Sequence, residues 1–132
     1  MAVTDPIADL LTRIRNASSA GHKRLSLPSS KLKREVVRVL NDANFLRGFA
    51  EQPATPQNQL LVRLRYTPTQ EQVINGLERV SRPGLRRYIT CDKLRSMNRQ
   101  MGLTVVSTSR GVMSGRQAVE HGIGGEILCR VW

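Results

Sequence analysis

The apolar residues of this chain change their spacing part way along it, and that change limits what it can fold into. Near the N-terminus they recur at helical intervals. Ile7, Leu10, Leu11 and Ile14 share one face, as do Leu32, Val36, Val39, Leu40 and Ala43. Later they come in short alternating or β-branched runs, such as Val62-Arg63-Leu64-Arg65-Tyr66 and Leu103-Thr104-Val105-Val106, which read as strands. Two early helices with several short strands predict an α+β fold in two layers.

Local chemistry marks the elements. Asp5-Pro6 opens the first helix, with Asp as cap and Pro at the first helical position. That helix is expected to end near Arg13, Arg15 and Asn16, with 16–21 as a polar exit. Leu25 and Leu27 alternate with polar residues up to Pro28 and predict a short strand. Ser29-Ser30 caps a second helix, whose outer face carries Lys31, Arg34 and Arg38. Residues 45–51 and 60–66 predict a hairpin across a turn-rich 53–59. Residues 1–68 thus form an N-terminal domain of two helices and three strands. The polar stretch 67–72 marks a boundary.

Residues 69–132 are expected to be a mainly β domain with a short helix. Strands are predicted over 73–80, 88–91, 103–109 and 126–132. A turn falls at Ser81-Arg82-Pro83-Gly84, and a short helical segment at 92–100. Ser114, with Gln117 three residues on, fits a capping box for a brief helix.

Only 4% of the residues are aromatic, so the core must be built from aliphatic side chains. A net charge of +11 calls for a polyanionic partner. The charge is uneven. One basic segment holds Arg79, Arg82, Arg86, Arg87, Lys93, Arg95, Arg99, Arg110 and Arg116 against the single acid Asp92. Another holds Arg13, Arg15, Lys23, Arg24, Lys31, Lys33, Arg34 and Arg38 against Glu35. Two basic segments suggest two contact surfaces.

Several function classes are disfavoured. No apolar run approaches the roughly 20 residues that span a bilayer, and no signal peptide opens the chain, so a soluble intracellular protein without a membrane partner is expected. Cys91 and Cys129 fit reduced residues in apolar, strand-like surroundings better than a disulfide or metal site. His22 and His121 have no ligand at metal spacing. Gly122-Ile123-Gly124-Gly125 lacks the order and spacing of a nucleotide loop and reads as a tight turn that lets backbones pack closely. No nucleophile elbow is present. No catalytic residue, metal or cofactor is expected.

The residues best suited to a partner are Ser107-Thr108-Ser109-Arg110-Gly111, at the end of a predicted strand. Hydroxyls donate and accept, so they can meet either kind of base edge. Arginine brings a cationic fork, and glycine allows close approach. Tyr88, on a basic strand, is either a core tyrosine with a wet hydroxyl or a platform for an unstacked base. Glu126 either serves an RNA site or makes a surface salt bridge. Lys31-Leu32-Lys33-Arg34 reads as helix-borne phosphate contacts.

Four stretches carry a family resemblance. They are 5–16 (Asp5-Pro6-Ile7-Ala8-Asp9-Leu10-Leu11-Thr12-Arg13-Ile14-Arg15-Asn16), Pro28-Ser29-Ser30-Lys31-Leu32-Lys33, and 80–88 (Val80-Ser81-Arg82-Pro83-Gly84-Leu85-Arg86-Arg87-Tyr88). The fourth is Ser107-Thr108-Ser109-Arg110-Gly111-Val112-Met113-Ser114 with Gly122-Ile123-Gly124-Gly125-Glu126-Ile127-Leu128. Together they resemble the bacterial small-subunit ribosomal protein S-eight family. The resemblance implies a two-domain α+β protein that binds the central domain of small-subunit (16S) rRNA beside other ribosomal proteins. It also implies, in some members, repression of the protein's own operon mRNA. By the same likeness Ser107, Thr108, Ser109 and Tyr88 would contact bases, while Gly124, Gly125 and Glu126 would form a supporting turn. Lys31 with Arg15 and Asn16 would make a second contact. From the charge pattern, Arg82, Arg86, Arg87 and Arg110 would hold phosphates. The rival reading is a basic regulatory protein that places its second helix in the DNA major groove.

Overall fold

The computed structural model describes residues 5–100 and 102–132. The first helix, α1 (Pro6–Ser19), starts where the sequence places it. Asp5 is extended and its carboxylate accepts from Ala8 N at 3.2 Å, with Pro6 beginning the helix. The helix passes its expected end at Asn16. The supposed polar exit continues it because Ala17 and Ser18 are small and turn inward, where they are buried.

Strand β1 (Arg24–Pro28) leads to α2 (Lys31–Asp42), and the predicted hairpin follows as β2 (Leu46–Gln52) and β3 (Gln59–Leu64). These strands form an antiparallel sheet in the order β1-β3-β2. The register pairs Leu25 with Val62, Leu27 with Leu60 and Leu46 with Leu64, which gathers the apolar residues on one face. Helix α1 packs on β1 and α2 on β2.

The inward face of α2 differs from expectation. Leu32 is 39% exposed, whereas Lys33 and Val37 join Val36, Val39 and Leu40 inside. Positions 33, 36, 37 and 40 form one helical stripe. Lys33 occupies it by burying its stem and donating from Nζ to Pro28 O at 3.0 Å. It is therefore not a phosphate contact.

The second sheet contains β4 (Leu77–Arg79), β5 (Tyr88–Ile89), β6 (Leu103–Thr108), β7 (Gly111–Ser114) and β8 (Gly125–Val131), with α3 (Cys91–Met97) and α4 (Gly115–Glu120) between strands. Its order is β4-β8-β6-β7, with β5 also paired to β8. The strand expected over 73–80 shrinks to three residues. Before it, Asn75 N and Gly76 N both donate to Trp132 O, and the Trp132 ring lies where a Cβ on Gly76 would be. Cys91 opens α3 rather than ending a strand, because the Thr90 hydroxyl caps Lys93 N at 3.4 Å. Strand β7 has no counterpart among the expected strands, since its four residues run from the end of the contact run at Gly111 to the helix cap at Ser114. The capping box at Ser114 and Gln117 forms as expected.

The core does not stop between the sheets. Leu77, Val105, Leu128, Cys129 and Val131 belong to the same buried cluster as the apolar stripes of α1 and α2. Arginines reinforce the junction. Arg15 Nη2 donates to Leu77 O at 2.5 Å, and Arg38 Nη2 to Val112 O at 2.7 Å. Arg79 donates from Nε to Asp5 at 3.0 Å and from Nη1 to Leu128 O at 2.7 Å. Burial raises the Cys129 thiol pKa to about 12, with Arg79 pulling it only partly back.

Burial by itself would raise the Asp5 pKa. The Arg79 hydrogen bond, the Ala8 N–H and the Arg79 charge outweigh it and hold the carboxyl below its ordinary 3.8. As pH falls, the unfolded chain therefore takes up this proton first. The clamp's contribution is complete above the ordinary carboxylate value and is lost as pH drops through the lower folded one. Asp5→Ala removes a helix cap and strands Arg79, so denaturant titration at neutral pH should show a loss of about 2–3 kcal/mol. The same variant should lose less stability than the parent on acidification. Thiol-reagent kinetics should show Cys129 reacting only as the chain unfolds.

Candidate nucleic-acid interface

Three strands bring distant residues into one row. Tyr88 on β5 is the register partner of Glu126 on β8, and Glu126 is the partner of Ser107 on β6. Residues directly opposite in antiparallel strands project to the same side. Tyr88, Glu126 and Ser107 therefore share a face, with about 10 Å between the outer two strands. The row reaches Val112 on β7.

Tyr88 is 73% exposed, which overturns its reading as a core tyrosine. Arg82, Arg86, Arg87, Ser109 and Arg110 are also exposed, while Ser107 and Thr108 are half-buried. The hydroxyl run does not act as a unit. Thr108 Oγ1 donates to Gly111 O at 2.8 Å and accepts from Arg110 N at 3.1 Å, so it ties the β6–β7 turn. Ser109 and Arg110 form the two-residue tip of that turn. Gly111 closes it at φ +110°, a conformation L side chains rarely adopt. Arg110 Nη1 lies 3.3 Å from Nδ1 of His121, the residue that ends α4.

Glu126 anchors the opposite side. Its Oε2 accepts from the Ser81 hydroxyl and from Arg86 Nη1 at 3.0 Å. Ser81 is fully buried, and its Oγ accepts from Arg87 N at 3.1 Å. One carboxylate thus holds the basic turn 81–87 against the row. Ser81 is not among the expected site residues. The available signal was a serine opening a Pro-Gly turn, where a hydroxyl commonly bonds nearby backbone.

Gly124 and Gly125 give close backbone packing. A Cβ on Gly124 would lie 2.2 Å from Ile89 O, and one on Gly125 would lie 2.2 Å from Ser107 O. Only bare backbone lets β8 sit between β5 and β6 at this point.

Lys31, Arg15 and Asn16 do not join the row. They are exposed on α2 and α1, in the other half of the molecule, and Arg15 commits a guanidinium nitrogen to Leu77 O. The α2 helix makes a poor recognition helix. Arg34 pairs with Glu51 at 2.6 Å, and Arg38 pairs with Glu35 and Asp42 and reaches Val112 O. The Arg34 bond, with Asn58 and Ser29, holds the Glu51 carboxyl below its ordinary range. No group of three or more His, Cys, Asp or Glu among the described residues could hold a metal ion. No helix among them is long and apolar enough to cross a membrane.

Gly125→Ala should push β6 and β8 apart. Chemical denaturation should record a loss of about 1–3 kcal/mol, as for other overpacked sites. Amide exchange should quicken at Ser107 and Glu126 before it does in α1.

Comparison with known proteins identifies the family. A family model described as Ribosomal protein S8 matches residues 5–132. The chain is 48% identical to the small ribosomal subunit protein uS8 of Natranaerobius thermophilus over 132 residues, covering 100% of both chains. It is 46% identical to the protein of that name from Roseiflexus castenholzii and 43% to that from an Anaeromyxobacter species, again over 100% of both chains. With helix cap, hydroxyl hairpin and glycine turn all inside a match that spans both sheets, the chain belongs to the ribosomal protein S8 family.

Proposed function

We propose that this protein is a structural component of the small ribosomal subunit, working in the cytoplasm, and that it binds the central domain of 16S rRNA during assembly. The observation that carries this reading is the row Tyr88–Glu126–Ser107 beside the exposed hairpin tip at Ser109. An exposed aromatic, free hydroxyls and a rim of arginines suit RNA with unstacked bases. Tyr88 stacks on a base, Ser107 and Ser109 meet base edges, and Thr108 shapes the hairpin. Arg82, Arg86, Arg87 and Arg110 hold phosphates, which position the RNA without reading it. Lys31, Arg15 and Asn16 add a contact from the N-terminal half. The same face, meeting a similar fold in the protein's own operon mRNA, represses its translation.

A DNA-binding regulator is the weaker reading. Its only candidate recognition helix, α2, has Arg34 and Arg38 in ion pairs and Lys33 buried. Competition between structured RNA and duplex DNA at physiological salt should favour the RNA.

Ser109→Ala should weaken binding to the specific RNA by about 1–3 kcal/mol, by leaving a base edge unpaired, yet barely change binding to bulk RNA. Equal loss on both would make Ser109 a folding residue. Neutralising about six phosphates should give a log–log salt dependence with a slope of roughly −4 to −5. Filter binding across a salt series measures it, and a flat response would refute the electrostatic part.

A further inference from the structure

We propose that His121 is a positioning residue for RNA binding: its imidazole holds Arg110 at the hairpin tip, so that the arginine meets a phosphate already aimed. This rests on the reading that the tip between β6 and β7 contacts RNA. Arg110 Nη1 lies 3.3 Å from Nδ1 of His121. A guanidinium has N–H donors and no acceptor. The contact is a hydrogen bond when Nδ1 accepts, which puts the ring proton on Nε2 and leaves the imidazole neutral. A ring protonated on Nδ1 would turn a hydrogen of its own toward the arginine.

His121 reaches from a rigid base. Helix α4 is fixed at its start by the Ser114–Gln117 capping box, and its Ala118 is fully buried with Leu94 and Val106. Val119 and Ile123, on either side of His121, pack against the same cluster. His121 N donates to Gln117 O at 3.0 Å. Arg110, by contrast, extends from an exposed two-residue tip whose backbone is tied through Arg110 N to Thr108 Oγ1. No carboxylate among the described residues pairs with it. A long side chain left free loses its rotamer freedom on binding, and that loss weakens affinity. Held by the imidazole, Arg110 gives up part of that freedom on folding instead. The bond uses Nη1, so Nε and Nη2 stay available to grip a phosphate as a fork. The chain then turns at Gly122, with φ +67°, toward Gly124 and Gly125, which pack on Ile89 O and Ser107 O. One loop therefore steadies the hairpin tip and the row of Tyr88, Glu126 and Ser107 together.

The test compares full-chain variants on a short irregular-helix fragment of the 16S central domain, in salt titrations. His121→Ala should weaken binding by ~3–10-fold. It should leave the salt slope unchanged, because every phosphate-binding cation remains. His121→Gln, whose Oε1 can accept from the arginine, should restore most of the affinity. Arg110→Ala should lower the slope by about 1, and adding His121→Ala to it should cost nothing more. Ring nitrogen NMR shifts of the free protein at mildly alkaline pH should show Nδ1 of His121 without a proton. Full affinity in His121→Ala beside a weakened Arg110→Ala would overturn the proposal. So would full additivity of the two changes, no rescue by glutamine, or a proton on Nδ1. If Arg110→Ala changes neither affinity nor slope while the ring shifts are as expected, the reading of the tip as an RNA contact fails, and the proposal with it.

Discussion

Arg79 joins three parts of the molecule through one guanidinium. It meets Asp5 at the start of α1 and the Leu128 carbonyl on β8, while its own backbone lies in β4. Its side chain is 10% exposed and that of Asp5 16%. A charge so placed must be paired or it destabilises the fold. The same carboxylate caps α1 through Ala8 N, so helix start and sheet position are set together. The clamp ties the start of α1 to β8, the strand that also carries Glu126.

Strand β8 is the centre of the second sheet and carries the candidate site. It pairs with β4, β5 and β6, and Glu126 stands where β5 and β6 both meet it. An acid on a face so rich in arginine looks misplaced by charge alone. Its contacts explain it. Glu126 binds Ser81 and Arg86, and Ser81 in turn binds Arg87 N. The carboxylate organises a basic turn through one nitrogen of Arg86, and Arg82, Arg86, Arg87 and Arg110 remain exposed.

Much of the fold was legible where chemistry is local. The Asp5-Pro6 start of α1, the Ser30 cap of α2, the hairpin of β2 and β3 and the capping box at Ser114 each depend on residues within a few positions, and each forms. The misses share a cause. Lys33 turned inward because Pro28 O lay within its reach. The strand expected over 73–80 was cut short by Trp132, the last residue of the chain, packing on Gly76. Neither effect leaves a trace in the local pattern. The candidate site was partly legible: the hydroxyl run and Tyr88 stood out by composition, whereas the buried role of Ser81 did not.

The sequence by itself determined the α+β character, the aliphatic core and the strongly cationic balance, since these follow from period, composition and local caps. Only the tertiary structure decided which cations are free. Arg15, Arg38 and Arg79 counted equally with Arg82 and Arg87 as positive charges, yet each binds a carbonyl or carboxylate brought from the other half of the chain. It also divided the three hydroxyls, giving Thr108 to the turn and leaving Ser109 at the tip. The physical reason is the same in both cases. A charge or hydroxyl is spent or available according to the acceptors around it, and those acceptors are brought near by folding, not by sequence position.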